Sequence, residues 1–234
     1  MITVILNTYN RPHVLNEQIE AIKSQSIVPT QIMIWMNKGD AKYPVVNDPS
    51  IIINQCSHNL KFHARFAFGL LAKTEYVAFF DDDTIPGKKW FESCVDSIKK
   101  QPGIYGTTGV KLTGAKYSPH QKIGWNGDKS NSIEKVHLVG HAWFLKTEWL
   151  KYMWYERQQS WENGEDIQLS YFCQKYGNIN TYVPPHPVTN QNVWGSIKGI
   201  KYGTDANATY LKHKTEHFQI RDLLCERFIK EGWK

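Results

Sequence analysis

The chain has 234 residues, of which 41% are hydrophobic and 13% aromatic, and this apolar content is enough to build a folded core and to exclude a disordered chain. Its formal net charge of +6 favours anionic partners, but the basic residues are scattered and adjoin at most in pairs, so we expect no nucleic-acid partner. No stretch approaches the roughly 18 apolar residues of a membrane span, and we therefore expect no transmembrane segment.

The first half of the chain is predicted to alternate strands with helices. Four short runs of apolar, β-branched or aromatic residues are typical of buried strands, and apolar residues at helical spacing between them predict helices. Such alternation indicates βαβ units on a parallel sheet. The predicted strands are residues 2–6, 31–36, 51–53 and 76–80, and the predicted helical faces are Leu15, Ile19 and Ile22, followed by Phe62, Phe66 and Leu70.

The strand at 76–80 ends in three consecutive carboxylates, Asp81, Asp82 and Asp83. Three acids in a row repel one another, and the end of an apolar strand is a costly place to keep them ionised. A divalent cation that bridges them to a phosphate removes this cost, because Mg²⁺ and Mn²⁺ favour carboxylate oxygen. The alternative is a solvated acidic turn. Polar residues also follow the first two strands, at 8–11 and at Asn37, so we expect a ligand site at this edge of the sheet.

The second half of the chain is predicted to be less regular. Residues 106–125 are rich in Gly, Thr, Lys and Tyr with weak periodicity, and we expect short strands and loops there. Thr147 is predicted to cap a short helix, and Gly177 to end the helix that opens at Glu165. The other predicted elements are a helix at 88–100 with Phe91, Val95 and Ile98 inward, strands at 136–145 and 179–183, a loop at 184–194 and a helix at 218–229.

Cysteine usage and the N-terminus indicate the compartment. The four cysteines are far apart and form no CxxC pair, which argues against a zinc knuckle and favours a reducing compartment. The first residues lack the charged region and the long apolar segment of a signal peptide. We therefore expect a soluble, cytoplasmic protein.

Three motifs in order resemble the GT-A glycosyltransferases. They are the first strand with Thr8-Tyr9-Asn10-Arg11-Pro12, the triplet Asp81–Asp83, and Gly164-Glu165-Asp166 at the start of a later helix. The likeness is best to family 2-like enzymes, and it extends to the exostosin-like catalytic domain, which pairs an Asp triplet with a later Glu-Asp-Ile. It covers about residues 1–190.

The resemblance implies an α/β fold, namely a single GT-A domain over residues 1–234 with a Rossmann-like, mostly parallel central sheet flanked by helices. Residues 1–105 would form its nucleotide-binding half, 106–190 its acceptor half and 191–234 a C-terminal extension over the site. The implied reaction moves a sugar from a nucleotide-sugar donor, by family habit a UDP-sugar, to a glycan or other hydroxyl acceptor, with Mn²⁺ or Mg²⁺ as cofactor.

The resemblance also assigns roles to residues on the donor side. Asp81 would face the ribose and Asp83 the metal, and His186 would be a late metal ligand, with His213 as its rival. A loop histidine between prolines is the alternative for His186. Asn37 stands where many members have Asp, so the usual base contact is altered. The donor-binding set is Thr8, Tyr9, Arg11, Asn37, Asn59, Arg65, Asp81 and Asp82.

On the acceptor side, Asp166, or its neighbour Glu165, matches the acid that faces the acceptor. In an inverting enzyme this acid is the general base; the exostosin-like relatives retain configuration, and the sequence leaves both outcomes open. The alternative for both acids is capping and the helix macrodipole. His141, Trp143 and Trp161 are predicted on the acceptor side, the tryptophans stacking on sugar, although core packing is their alternative.

Two other classes of function compete with this interpretation. A haloacid-dehalogenase-type phosphatase also carries acids at a strand end, but its motif belongs on the first strand, whereas Asp81 lies some eighty residues into this chain. A non-catalytic module that binds a sugar or a nucleotide sugar would need no acid beside the acceptor. The intact triplet together with Asp166 therefore favours the transferase.

Overall fold

The computed structural model describes residues 1–206, 208, 211 and 214–234. Its first half alternates strands and helices as predicted. The elements are β1 (Ile2–Thr8), α1 (Pro12–Lys23), β2 (Gln31–Met36), β3 (Ile52–Gln55), α2 (Ala64–Gly69), β4 (Tyr76–Phe80) and α3 (Trp90–Lys100). The four predicted strands are confirmed, and three of them are buried apolar runs, whereas β3 is a largely exposed strand at the end of the sheet order.

The second half begins with a strand that is longer than predicted. The elements are β5 (Gly103–Leu112), β6 (His120–Gly124), β7 (Glu134–Val136), β8 (Leu138–Lys146), a 3₁₀ helix (Thr147–Trp154), α4 (Glu165–Gly177), β9 (Asn180–Val183), a 3₁₀ turn (Gln191–Val193), α5 (Gly199–Gly203) and α6 (Lys214–Lys230). Among the described residues, no helix combines the length and the hydropathy needed to cross a bilayer.

In the described part of the chain, nine strands form one mixed sheet. Its order is β3-β2-β1-β4-β8-β5-β9-β7, with β6 paired to β5. Strands β3, β2, β1 and β4 are mutually parallel, and β8 joins antiparallel to both β4 and β5. Because β8 is inserted beside β4, residues far apart in sequence meet where β4 ends. The predicted α/β class, a sheet flanked by helices, is confirmed.

Two apolar clusters hold the sheet and its covering helices. The larger packs α1 and α3 against the strands through residues such as Ile22, Phe80 and Phe91. The smaller packs α6 on α4, with Tyr171 and Phe228 stacked at a ring separation of 4.1 Å. Burial of aromatic rings in this cluster fixes the C-terminal helix beside the first turn of α4.

Four local predictions are wrong. Leu70 is 47% exposed, because α2 is short and ends at Gly69. Residues 103–112 form the long central strand β5 despite their glycines, because sheet neighbours on both sides supply the order that local periodicity lacks.

One of these errors concerns a helix start, and another concerns a strand break. Thr147 lies inside the 3₁₀ helix and makes no capping hydrogen bond. Gly177, by contrast, ends α4 as predicted, and the left-handed Asn178 follows it. The strand predicted at 136–145 is divided at His137 into β7 and β8.

Candidate functional site

The acidic triplet lies in a braced turn at the end of β4. The side-chain amide of Gln18, on α1, donates to the carbonyls of Asp81 and Thr84, each at 2.8 Å. The Thr84 N–H closes the turn on the Asp81 carbonyl at 3.1 Å. Gln18 is 1% exposed, so the turn is fixed from within the protein and presents three carboxylates at the carboxyl edge of the sheet.

Two arginines pair with the first two carboxylates. Arg65 Nη1 donates to Asp81 Oδ1, and Arg11 Nη1 donates to Asp82 Oδ1 at 2.6 Å. The backbone N–H of Tyr9 also reaches Asp82 Oδ2, at 3.3 Å. The structure therefore brings the predicted donor-side residues Tyr9, Arg11 and Arg65 to the triplet.

His141 faces the third carboxylate from a β-bulge in β8. Gly106 pairs with Trp143 and Thr108 with Gly140, so a single residue of β5 faces two of β8. His141 takes a φ of +65°, its carbonyl accepts from the Asp81 N–H at 2.9 Å, and its Nδ1 lies 3.8 Å from Asp83 Oδ1. Bulges re-aim side chains next to functional sites. His141, predicted on the acceptor side, thus lies beside the carboxylate predicted to face the metal.

The charges of this group are set by burial and by close partners. Burial raises the pKa of Asp82 to about 6 although Arg11 opposes the shift, and burial likewise raises the pKa of Asp81 against Arg65. Burial also disfavours the charged forms of Asp83 and His141. Their mutual attraction outweighs it, however, so the pKa of Asp83 is lowered and that of His141 is raised. The group is acidic and only partly neutralised.

The chemistry of these side chains fits a divalent cation. One ligand atom each from Asp81, Asp83 and His141 lies within 4.8 Å of the others, and all three side chains are half-buried. Carboxylate oxygen with one imidazole nitrogen suits Mn²⁺, and carboxylate oxygen suits Mg²⁺. A cation here would offset the cost of burying Asp81 and Asp83, which Arg65, Arg11, His141 and the Thr84 hydroxyl reduce in part.

A second pair of acids opens α4. Gly164, with a φ of +85°, begins the helix, and Glu165 and Asp166 follow in its first turn. Arg65 Nη2 donates to Glu165 Oε1 at 3.2 Å, so one buried arginine joins Asp81 to this pair. Burial first, and then the charge of Asp166, raises the pKa of Glu165 to about 7. Neither acid occupies the N-cap position, although both are placed to favour the helix dipole.

One cleft of about 520 Å³ contains both acidic groups. Arg65 lies on its floor, with the guanidinium 4.7 Å above the ring of Trp143. Trp143 is 1% exposed, so it belongs to the core as well as to the cleft. The predicted site residues that line the cleft are Tyr9, Arg11, Arg65, Asp81, Asp82, Asp83, His141, Trp143, Glu165 and Asp166.

Three predicted donor residues, Thr8, Asn37 and Asn59, are not among the residues that line the cleft. Asn37 Nδ2 donates to Asn59 Oδ1 at 2.8 Å, and Asn37 Oδ1 accepts from the Leu60 N–H at 2.9 Å. Thr8 is 2% exposed at the end of β1. In this structure the two asparagines brace the loop before α2. Trp161 is half-exposed and packs on His63, with ring centroids 5.0 Å apart, and it does not line the cleft.

His186 is not brought to the acidic group. It is fully buried, its Nδ1 donates to the Pro184 carbonyl at 2.8 Å, and its Nε2 lies 3.4 Å from Thr107 Oγ1. Both ring nitrogens are therefore engaged elsewhere, and burial lowers the pKa of His186 to about 4. The rival ligand His213 lies outside the described residues.

Sequence reasoning missed residues that reach the site from far along the chain. Asp205 accepts from Arg11 Nε and Nη2 at 3.0 and 2.7 Å, and Arg221 of α6 pairs with Asp166. Tyr117 and Trp125, from the segment with no readable pattern, line the cleft. A charged residue on a C-terminal helix ordinarily indicates a solvated face, so no local signal singles out Arg221.

The sequence matches the family described as Glycosyl transferase family 2 over residues 3–164. Among solved structures, S. aureus TarS is similar at 15% identity with a TM-score of 0.54, covering 79% of this chain and 36% of that one. The S. aureus TarS 1-349 structure is similar at 16% identity with a TM-score of 0.52, covering 79% and 60%. The chain thus spans about a third and three-fifths of their lengths. No curated protein matches significantly. The likeness supports the predicted fold.

Proposed function

Because the chain belongs to Glycosyl transferase family 2, we propose that it transfers a sugar from a nucleotide-sugar donor to a hydroxyl acceptor with the help of a divalent cation. A single observation supports this proposal most strongly. The group Asp81–Asp83–His141 and the acid pair Glu165–Asp166 line the same cleft, and Arg65 connects them. One end of the cleft thus suits a diphosphate with its metal, and the other suits an acceptor hydroxyl.

The donor is proposed to lie against the carboxyl ends of β1 and β4. Tyr9, Arg11 and Arg65 line this half of the cleft with the triplet, and open α/β sheets bind ligands outside these strand ends. Thr8, Asn37 and Asn59 would shape the base pocket from behind. We propose a UDP-sugar as the donor.

Asp81, Asp83 and His141 are proposed to hold Mn²⁺ or Mg²⁺, with His141 in the place that the sequence suggested for His186. When bound, the ion would act as a Lewis acid and stabilise the negative charge that develops on the leaving diphosphate. The protein's own contribution is to hold these ligands on two neighbouring strands. Asp82 pairs with Arg11 and would orient that guanidinium toward the donor.

The reacting hydroxyl is proposed to give its proton to Asp166, as in an inverting transfer. Burial raises the pKa of Glu165 to about 7, whereas Asp166 pairs with Arg221, and two carboxyls in such different environments often have separate roles. Tyr117 and Trp125 add aromatic faces to the cleft. The likeness to the retaining, exostosin-like domain stays a prediction.

The proposed functions of the three segments follow their order along the chain. Residues 1–105 would bind the nucleotide, 106–190 the acceptor, and 191–234 would cover the site in a single cytoplasmic domain. Gly203 supports the covering role, because a Cβ at this position would stand 2.9 Å from Asp83 Oδ2. The Asp205 contact with Arg11 is a second link from the extension to the donor side.

The test is release of nucleoside diphosphate from a panel of sugar nucleotides, with Mn²⁺ and with excess chelator. We expect turnover that requires the metal and is lost in Asp83→Ala. Unchanged glycan binding by Asp83→Ala, with no turnover by either protein, would instead indicate a non-catalytic sugar-binding module.

A further inference from the structure

The C-terminal helix contacts the acid pair through one buried residue. Arg221 is 6% exposed; its Nη1 donates to Asp166 Oδ1 at 3.0 Å and its Nη2 to Oδ2 at 2.6 Å. The guanidinium also lies 4.2 Å above the ring of Tyr117. An arginine fork matched to a carboxylate fixes the plane of that carboxylate, which a lysine does not do.

The pairing leaves one position of Asp166 open. A carboxylate offers about four lone-pair sites, two on each oxygen. Oδ1 accepts from Arg221 and from the Ile167 N–H at 2.9 Å, whereas Oδ2 accepts only from Arg221 among the described residues. Since Asp166 lines the cleft, the free site on Oδ2 is available to a ligand there.

The charged and titratable groups around Asp166 come from several elements of the fold. Arg221 is the cation paired with Asp166, whereas Glu165 is the adjacent carboxyl and competes with it for ionisation. The other titratable groups that interact electrostatically with Asp166 are His63 before α2, Tyr117 before β6, and His217 and Cys225 on α6. Burial lowers the pKa of both histidines to about 4, so they are neutral near pH 7.

We propose that Arg221 is a positioning residue for glycosyl transfer, which holds the Asp166 carboxylate turned so that Oδ2 meets the acceptor hydroxyl. This inference rests on the proposed function, in which Asp166 takes the acceptor proton. It gives the C-terminal helix a role in the reaction in addition to its packing on α4.

The experiment compares four variants with the wild-type protein. They are Arg221→Ala, Arg221→Lys, Asp166→Asn and, as a matched control, Arg227→Ala, which removes a half-exposed arginine of the same helix that pairs with Glu231 outside the cleft. The assay is release of the nucleoside diphosphate from UDP-glucose, UDP-galactose, UDP-N-acetylglucosamine and GDP-mannose, with the sugar passing to water as the acceptor, with Mn²⁺ and from pH 5 to 9. Melting temperatures are recorded in parallel, and guanidine is added to Arg221→Ala.

We expect Arg221→Ala to lower kcat about 100-fold with little change in the donor KM, since a misplaced reacting group costs about that much. The acid limb of its kcat profile should move up by about one pH unit, because the base loses its cation. Guanidine should restore part of kcat. The kcat of Arg221→Lys should lie between those of wild type and Arg221→Ala, and Arg227→Ala should behave as wild type.

Each remaining outcome counts against a defined part of the account. Suppose that Asp166→Asn abolishes turnover, whereas Arg221→Ala has a lower melting temperature but an unchanged kcat profile and no rescue by guanidine. Arg221 is then a structural residue and the inference is wrong. If Asp166→Asn turns over normally, the base assignment fails. If the wild-type protein releases no diphosphate from any donor, the proposed function fails and the inference fails with it.

Discussion

The Nδ1 atom of His141 lies 3.8 Å from Oδ1 of Asp83, across the antiparallel junction of β8 and β4. The bulge that places His141 there also lets its carbonyl accept from the Asp81 N–H, so backbone and side chain approach the triplet together. The candidate metal centre is thus built from two strands that are some sixty residues apart in sequence.

The first prediction distinguishes the two histidines. His141→Gln should raise the Mn²⁺ concentration for half-maximal diphosphate release about 10-fold or more, because it removes a nitrogen ligand of the proposed centre. His186→Gln is the matched control, since it removes the histidine that the sequence suggested. Metal titrations at one temperature at which both variants are folded give the answer. An altered Mn²⁺ response in His186→Gln alone would reverse the assignment.

The second prediction concerns the acids of α4. Asp166→Asn should lower kcat by a factor of about 10² to 10⁴ while the donor KM changes little, because a general base acts in the transition state. Glu165→Gln should cost less than about 10-fold, since a glutamine resembles the protonated glutamic acid that its raised pKa favours. Steady-state kinetics at pH 7 measures both. Equal losses of kcat and donor affinity in Asp166→Asn would indicate a structural cap instead.

The third prediction concerns Arg65, which bridges Asp81 and Glu165 at 1% exposure. Arg65→Met should lower the free energy of unfolding by about 3 to 5 kcal/mol at pH 8, because it leaves two carboxylates buried without their cation. The loss should shrink toward pH 5, where both acids bind protons more readily. Urea unfolding measures it, with Arg227→Met, at an exposed ion pair, expected within about 1 kcal/mol of wild type. A similar small loss in Arg65→Met would contradict the bridging role.

The fourth prediction is an acid-dependent loss of stability through His186. Its pKa is lowered from 6.5 to about 4 in the fold, so the unfolded chain binds more protons between these values and stability falls as the pH falls. This residue alone should contribute a loss of about 2 kcal/mol between pH 7 and pH 5. The loss of unfolding free energy between pH 7 and pH 5 should therefore be smaller in His186→Gln by that amount. Parallel slopes for the two proteins would show that His186 titrates normally.

Much of the first half of the fold follows from the sequence because its signals are local. The strand at 76–80 is an apolar run, and the helix over 12–23 has apolar residues at helical spacing, so each can be predicted without knowing its neighbours. The long strand β5 gives no such signal, because its glycine- and threonine-rich middle at 106–108 is ordered by pairing with β8 and β6 and not by its own propensity.

The candidate site divides in the same way. Asp81 to Asp83 and Glu165 to Asp166 are visible as clusters of acids at element ends. The role of His141 depends on a bulge, and that of Arg221 on the packing of α6 against α4, and neither leaves a pattern in a single sequence. Trp161 was predicted beside the acceptor but lies outside the cleft, because an aromatic residue in a loop carries no signal of direction.

We propose that a nucleotide binds this cleft through a metal held by Asp81, Asp83 and His141. The most direct test of this proposal is a thermal-shift panel of UDP, GDP, dTDP and their sugar nucleotides, each with and without Mn²⁺, on wild type and Asp83→Asn. A ligand present at about 100 times its Kd stabilises the fold by about 2.7 kcal/mol, or roughly 5 °C or more in Tm for a chain of this length. We expect such a rise in Tm with one nucleoside diphosphate, only with Mn²⁺ and only in the wild-type protein. No shift with any nucleotide, or an equal shift in Asp83→Asn, would contradict the proposal.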